Sequence, residues 1–215
     1  MNMDLKKEQL ATLARPRCTY SLAAKLFFWS MDLLAGKKTT LAKAKLIEML
    51  ASIPYRAWEF RQYARLTHSF RNQDQVQKAQ AILAWGRAAQ DNEYWHLLVI
   101  HEKMKEDGIQ EPWYLSAPVT FLMAGFYALF MRLLVLVRMR RAFRFNAEFE
   151  DHAEHVYASF VEEHPQWEQQ PVRNEYVKAY ADLPTWADVF RRISLDERDH
   201  MNHSILLGDL PGKEI

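Results

Sequence analysis

Two copies of one short pattern, Asn92-Glu93-x-x-His96 and Asp196-Glu197-x-x-His200, concentrate the chemistry available to this chain. Residues three apart share one face of a helix, so each copy can aim a carboxylate and an imidazole at the same point. With 16 Glu and 8 His in 215 residues, chance alone gives roughly 0.6 such pairs, so the bare count is weak. Context strengthens it. No other Glu-x-x-His occurs, and each copy follows a short polar residue, Asn92 or Asp196, able to hydrogen-bond a metal ligand from behind. A di-iron or di-manganese carboxylate centre in a four-helix bundle takes Glu-x-x-His from two helices and one Glu from each of the other two. The two patterns are therefore expected to be halves of one metal site, with two single carboxylates still to be found.

The elements that position these residues should be helices. Leu, Ala, Glu, Lys, Arg, Gln and Met dominate and only 6 glycines occur, which favours an all-α chain. Its length suits one large domain over residues 1–215. A net charge of +1 provides no global drive toward nucleic acid, although Arg138, Arg140, Arg141 and Arg144 cluster locally. Cys18 is the only cysteine, which excludes an internal disulfide and a thiolate metal cage and fits a reducing compartment. Residues 1–17 hold no apolar stretch typical of a secretory signal, and Asp4 and Glu8 argue against a transit peptide, so the mature chain is expected to begin at Met1.

Residues 21–34 read as a short apolar helix stopped by Gly36, Lys37 and Lys38. Thr39 or Thr40 can cap a second helix reaching about Phe70 and kinked at Pro54. A third runs from about Asp74 to Gly108 and carries Glu93 and His96. Residues 114–137 are apolar except for Arg132, and their 24 positions extend about 36 Å as a helix, enough to span a bilayer. A single crossing would put the two Glu-x-x-His copies on opposite sides of the membrane. A helix lying in one leaflet, with Trp113 and Tyr114 at the headgroups, accommodates both observations; a buried bundle helix and a true span are the alternatives. A helix over 143–163, a polar loop over 165–173, a short helix over 173–180 and a last long helix from Pro184-Thr185 to Gly208 complete the chain.

Antiparallel neighbours joined by a short turn bring level those residues that lie equally far from it. Around a turn at Asn72 and Gln73, the position level with Glu93 is near residue 52. That favours Glu48 over Glu59, the alternative. In the second pair, Glu150 and Glu197 lie similar distances from their crossover. Asp151, His152, Glu154 and His155 crowd the same stretch and could compete as ligands, or could simply be hydrogen-bonded or solvated. Tyr157 follows Glu150 by two turns on the same face, as a core residue or as a phenol near the metals.

The ordered set resembles the alternative oxidase family over residues 32–207. Lys43-Ala-Lys-Leu-Ile-Glu48-Met-Leu-Ala-Ser-Ile-Pro54-Tyr55 resembles its first-ligand segment and selects Glu48 over Glu59. Asn92-Glu93-Tyr-Trp-His96-Leu-Leu resembles the second motif. Phe149-Glu150-Asp151-His152-Ala153 through Tyr157 resembles the third, and is most similar to the plastid terminal oxidase branch. Leu183-Pro184 and Asp188-Val189 lead into Asp196-Glu197-Arg-Asp-His200, similar to the fourth. Lys43 stands where the family has an arginine of the quinol pocket, Ile47 and Met49 replace its Leu and Thr, and the segment between Glu48 and Glu93 is several residues longer than usual.

The resemblance implies a ferritin-like four-helix bundle with two flanking apolar, membrane-interfacial helices. It implies a two-iron centre held by Glu48, Glu93, His96, Glu150, Glu197 and His200, with Asn92 and Asp196 behind the ligands and Tyr157 beside the irons. Lys43, Ile47, His152 and Ala153 are the expected quinol contacts. The implied reaction oxidises two quinols, ubiquinol or plastoquinol, per dioxygen reduced to water, without proton pumping. Expected partners are quinol, dioxygen, a lipid surface (the cytoplasmic face of the inner membrane in a bacterium) and a second copy in a homodimer. The rival readings are a di-iron oxygenase acting on a lipid-soluble substrate, and a non-enzymatic helical bundle.

Overall fold

In a computed structural model the protein is all-α, and the structure describes residues 3–210. Among these lie eight α-helices: α1 (Leu5–Ala14), α2 (Leu22–Ala35), α3 (Leu41–Ser69), α4 (Gln73–Glu106), α5 (Ala117–Val137), α6 (Met139–Glu163), α7 (Glu175–Tyr180) and α8 (Trp186–Leu207). Short polar side chains start most of them by accepting the otherwise orphaned first-turn N–H groups. Asp4 takes Lys7 N–H, Thr40 takes Lys43, Asn72 takes Gln75, Asn174 takes Tyr176 and Val177, and Thr185 takes Asp188. After α4, Gly108 turns the chain at φ +66°, a conformation that costs glycine little.

Two differences from the sequence-based expectations concern boundaries. The apolar segment expected over 114–137 begins instead with a single 3-10 turn (Trp113–Leu115); α5 starts only after Ser116, with proline in its first turn. It ends where Arg138 is extended at φ −152°, and α6 starts at once at Met139 rather than near Phe143. A third difference is α1, which was not expected at all. Its buried side chains are Gln9 and Thr12, so no apolar stripe announces it.

The chain divides into two compact units, residues 33–143 and residues 3–32 with 144–210. In the first, α3 packs against both α4 and α5. Leu46, Leu50, Tyr55, Trp58, Val99, Ile100 and Met131 form its core at 1% exposure or less. Gly86 of α4 lies against Tyr55 of α3; a Cβ added there would sit 3.6 Å from the Tyr55 carbonyl oxygen, an ordinary contact. Gly86→Ala is therefore expected to stabilise the fold by about 1 kcal/mol through helix propensity, read as a melting temperature raised by ~2–4 °C. α5 buries Tyr127, Met131 and Val135 and leaves Phe121, Leu122, Phe126, Leu129, Phe130, Leu133, Leu136 and Val137 exposed. Among the described residues it is the one helix long and apolar enough to cross a membrane.

In the second unit, Asn146 meets Ser204, Glu154 meets Ser194 and Arg198, and the Tyr157 ring meets Phe190, so α6 and α8 run antiparallel. Phe27 of α2 packs edge-on to Phe145 and Phe149 of α6. The loop before α8 is pinned by an isolated bridge between Pro171 and Thr185 and by Trp167, which stacks on Phe190 at 4.5 Å between ring centroids. Glu168 completes the attachment by pairing with buried Arg191. The Arg191 hydrogen bond outweighs partial burial and holds the Glu168 carboxyl below its ordinary 4.5. A carboxyl depressed in the folded state contributes stability above its ordinary, unfolded pKa and loses it as pH falls through the folded value. Protection of the Trp167 and Gln169 amides, measured relative to intrinsic exchange at each pH, should thus hold at pH 5 and fall below about pH 4.

Candidate metal sites

The unit of α3, α4 and α5 assembles the first set of donors. Lys45 meets His101, Glu48 meets His96 and Glu59 meets Arg87, which fixes the antiparallel register of α3 on α4. His96 Nδ1 lies 3.4 Å from Glu93 Oε2 and 3.6 Å from Glu48 Oε2. These separations are too long for good hydrogen bonds. They approach the roughly 3.0–3.4 Å expected between donors that each sit about 2.1 Å from a shared ion. Glu48, Glu93 and His96 are exposed by only 3%, 1% and 0%. Glu59 sits elsewhere, at the α3–α4 surface, where Arg87 donates to it at 2.9 Å.

The other unit assembles a matching set. His200 Nδ1 lies 3.4 Å from Glu197 Oε2 on α8. Glu150 reaches the same neighbourhood from α6, and ligand atoms of Glu150, Glu197 and His200 fall within 4.8 Å of one another, as do those of Glu48, Glu93 and His96. All three are buried. Each set therefore holds two buried carboxylates and one imidazole. Two carboxylate charges at such a distance repel by on the order of 3 kcal/mol even at an effective dielectric constant of 20. A bound cation offsets that repulsion and the desolvation of both groups, and a mixed oxygen and nitrogen donor set suits iron.

Of the residues crowding Glu150, the structure gives three a different partner. Asp151 accepts from Cys18 N–H at 3.0 Å and Tyr20 O–H at 2.9 Å and pairs with Arg15 at 2.6 Å. Burial would raise its carboxyl, but these donors outweigh burial and hold it below 3.8. Glu154 takes Thr12, Arg15 and Arg198, and the His155 nitrogens face the carbonyl oxygens of Asp151 and Arg15 at 2.8 and 3.0 Å. One face of α6 thus holds the N-terminal segment while another presents Glu150. Burial first, and Asp151 next, push the Cys18 thiol up to about 12, so it stays protonated.

Asn92 is half-buried beside Glu93, and Asp196 accepts from Tyr180 O–H at 2.6 Å and pairs with Arg192. Tyr157 is buried, its ring 6.1 Å from both Phe160 and Phe190. Lys43 is buried and donates from Nζ to Gly36 O at 2.8 Å, while Ile47 is half-buried. His152 stacks on Phe28 at 4.2 Å between centroids, and Ala153 is buried. The sequence did not single out Asn146, whose Nδ2 donates to Glu150 Oε1 at 2.9 Å. Its one signal is a place one turn before a candidate ligand.

A model of the alternative oxidase family matches residues 4–209. The all-α architecture is consistent with the di-iron four-helix bundle of that family. A search among curated proteins returned no match.

Proposed function

Since the chain belongs to the alternative oxidase family, whose members are di-iron quinol oxidases, we propose that it oxidises quinol and reduces dioxygen to water. Its two irons are held by Glu48, Glu93 and His96 of one unit and Glu150, Glu197 and His200 of the other. The observation that carries this reading is the repetition, in both units, of two buried carboxylates with one imidazole at 3.4 Å from its helix neighbour. Iron bound there supplies the redox chemistry that couples the two half-reactions. Two quinols give up four electrons and four protons, which one dioxygen takes to form two waters.

The protein's part is positioning and exclusion. Helices α3, α4, α6 and α8 hold the ligands on rigid backbone, and their burial keeps water from the reacting atoms. Tyr157, two turns along α6 from Glu150, offers a buried phenol for proton and electron movement. Lys43 and Ile47 precede Glu48 by five residues and one residue on α3 and line the approach for the quinol head. His152 and Ala153 do the same on α6. The exposed apolar face of α5 in one unit, and separately that of α2 with Leu22, Leu26 and Trp29 in the other, suit a membrane interface, where a lipid-soluble quinol is concentrated. The Glu150-Asp151-His152-Ala153 run supports kinship with the plastid terminal oxidase branch. A homodimer and, in a bacterium, the cytoplasmic face of the inner membrane complete the reading.

The deciding experiment measures quinol-driven oxygen uptake in lipid vesicles, with iron quantified in the same sample and isotopically labelled dioxygen as substrate. Label recovered in water supports the oxidase. Label recovered in an organic product would replace it with an oxygenase.

A further inference from the structure

Asn146 and Ser204 form a rung between α6 and α8, one turn below Glu150 on the first helix and one turn beyond His200 on the second. Both side chains are 0% exposed. Asn146 Nδ2 donates to Glu150 Oε1 at 2.9 Å and to Ser204 Oγ at 3.1 Å. A carboxylate can only accept, so the amide nitrogen, not its oxygen, must face Glu150. Both amide hydrogens are then engaged, one by the carboxylate and one by the opposite helix, and the amide cannot rotate without breaking one of them.

We propose that Asn146, anchored by Ser204, is a positioning residue for Glu150: it commits Oε1 to the protein and presents Oε2 to the ion. The proposal rests on the metal reading above and extends it to a residue one turn outside the ligand set. A donor on a ligating carboxylate has two effects. It fixes the carboxylate in one rotamer, so less ordering remains to be done when the ion binds, and it draws electron density from the group, which tunes the metal. The anchor on α8 matters because Glu197 and His200 come from that helix. The Asn146–Ser204 rung sets the distance from Glu150 to them.

The test uses the full chain in detergent, with ferrous iron affinity read by chelator competition without oxygen, and cobalt(II) in the metal-free protein as a spectroscopic probe. Asn146→Val removes the donor and keeps similar bulk. It should weaken ferrous binding by about 10- to 100-fold and shift the visible cobalt bands. Asn146→Ser, which retains a donor, should recover part of both. Ser204→Ala, which keeps the bond to Glu150 and loses the anchor, should give a smaller shift in the same direction, and decides the matter if Asn146→Val does not fold. Variants that fold and bind iron with wild-type affinity and unshifted cobalt bands would overturn the positioning role while leaving the metal reading intact. A wild-type protein that binds neither ion would overturn both.

Discussion

Replacing Glu93 or His200 with alanine is expected to abolish quinol-driven oxygen uptake and to strip iron from the purified protein. Each side chain belongs to a buried set of two carboxylates and one imidazole, and each lies 3.4 Å from its helix neighbour. Loss of a group that merely supports a ligand costs about 10- to 100-fold in metal affinity or activity, so loss of the ligand itself should exceed roughly 100-fold. Stability should move the other way. In the metal-free protein Glu93→Ala removes one of two carboxylates crowded about His96, so its melting temperature should match or exceed that of the metal-free parent. Lost activity in a variant that melts no lower separates chemistry from misfolding. Undiminished uptake in either variant would end the di-iron assignment.

The largest effect on stability should come from Glu154, which touches no candidate ligand set. This carboxylate is 0% exposed and draws together Thr12 at 2.7 Å, Arg15 at 2.7 Å and Arg198 at 2.9 Å, tying α1 and its following segment to α6 and α8. Breaking a buried pair from one side costs about 3–5 kcal/mol because the partner charge stays behind. Arg15 and Arg198 keep some access to water, with side chains 32% and 24% exposed, and retain Asp151 and Glu8 as second partners. The lower end therefore applies. Glu154→Ala should lower stability by about 3 kcal/mol and the melting temperature by ~6–12 °C. Limited proteolysis should then cut first within residues 3–21. A variant melting within a degree or two of the parent would show that α1 is held by something else.

What could be read from the chain alone follows a physical division. Helices α3 and α8 announce themselves locally through Thr40 and Thr185 at their starts, and α4 through Gly108 just past its end. The two Glu-x-x-His pairs are equally local, since three residues of helix bring each pair together whatever the tertiary fold. Glu48 needed the register of α3 on α4, which counting from the turn approximates because the loop is short. The roles of Asp151, Glu154 and His155 were out of reach because their partners Arg15, Thr12 and Cys18 lie more than 130 residues away. α1 escaped notice for the related reason that it docks through Gln9 and Thr12, polar side chains whose burial only a partner can justify. Asn146 is the sharpest case. An asparagine before a glutamate is unremarkable until Ser204 stands opposite it.

The outward face of α5 also has a consequence at the bench. Eight large hydrocarbon and aromatic side chains on one helix make a surface that plain buffer cannot wet, and such surfaces drive proteins into clumps or onto vessel walls. Preparations made without amphiphile will yield little monodisperse material whatever the intrinsic folding stability, so a poor yield from an aqueous extract says nothing about whether a given substitution is tolerated.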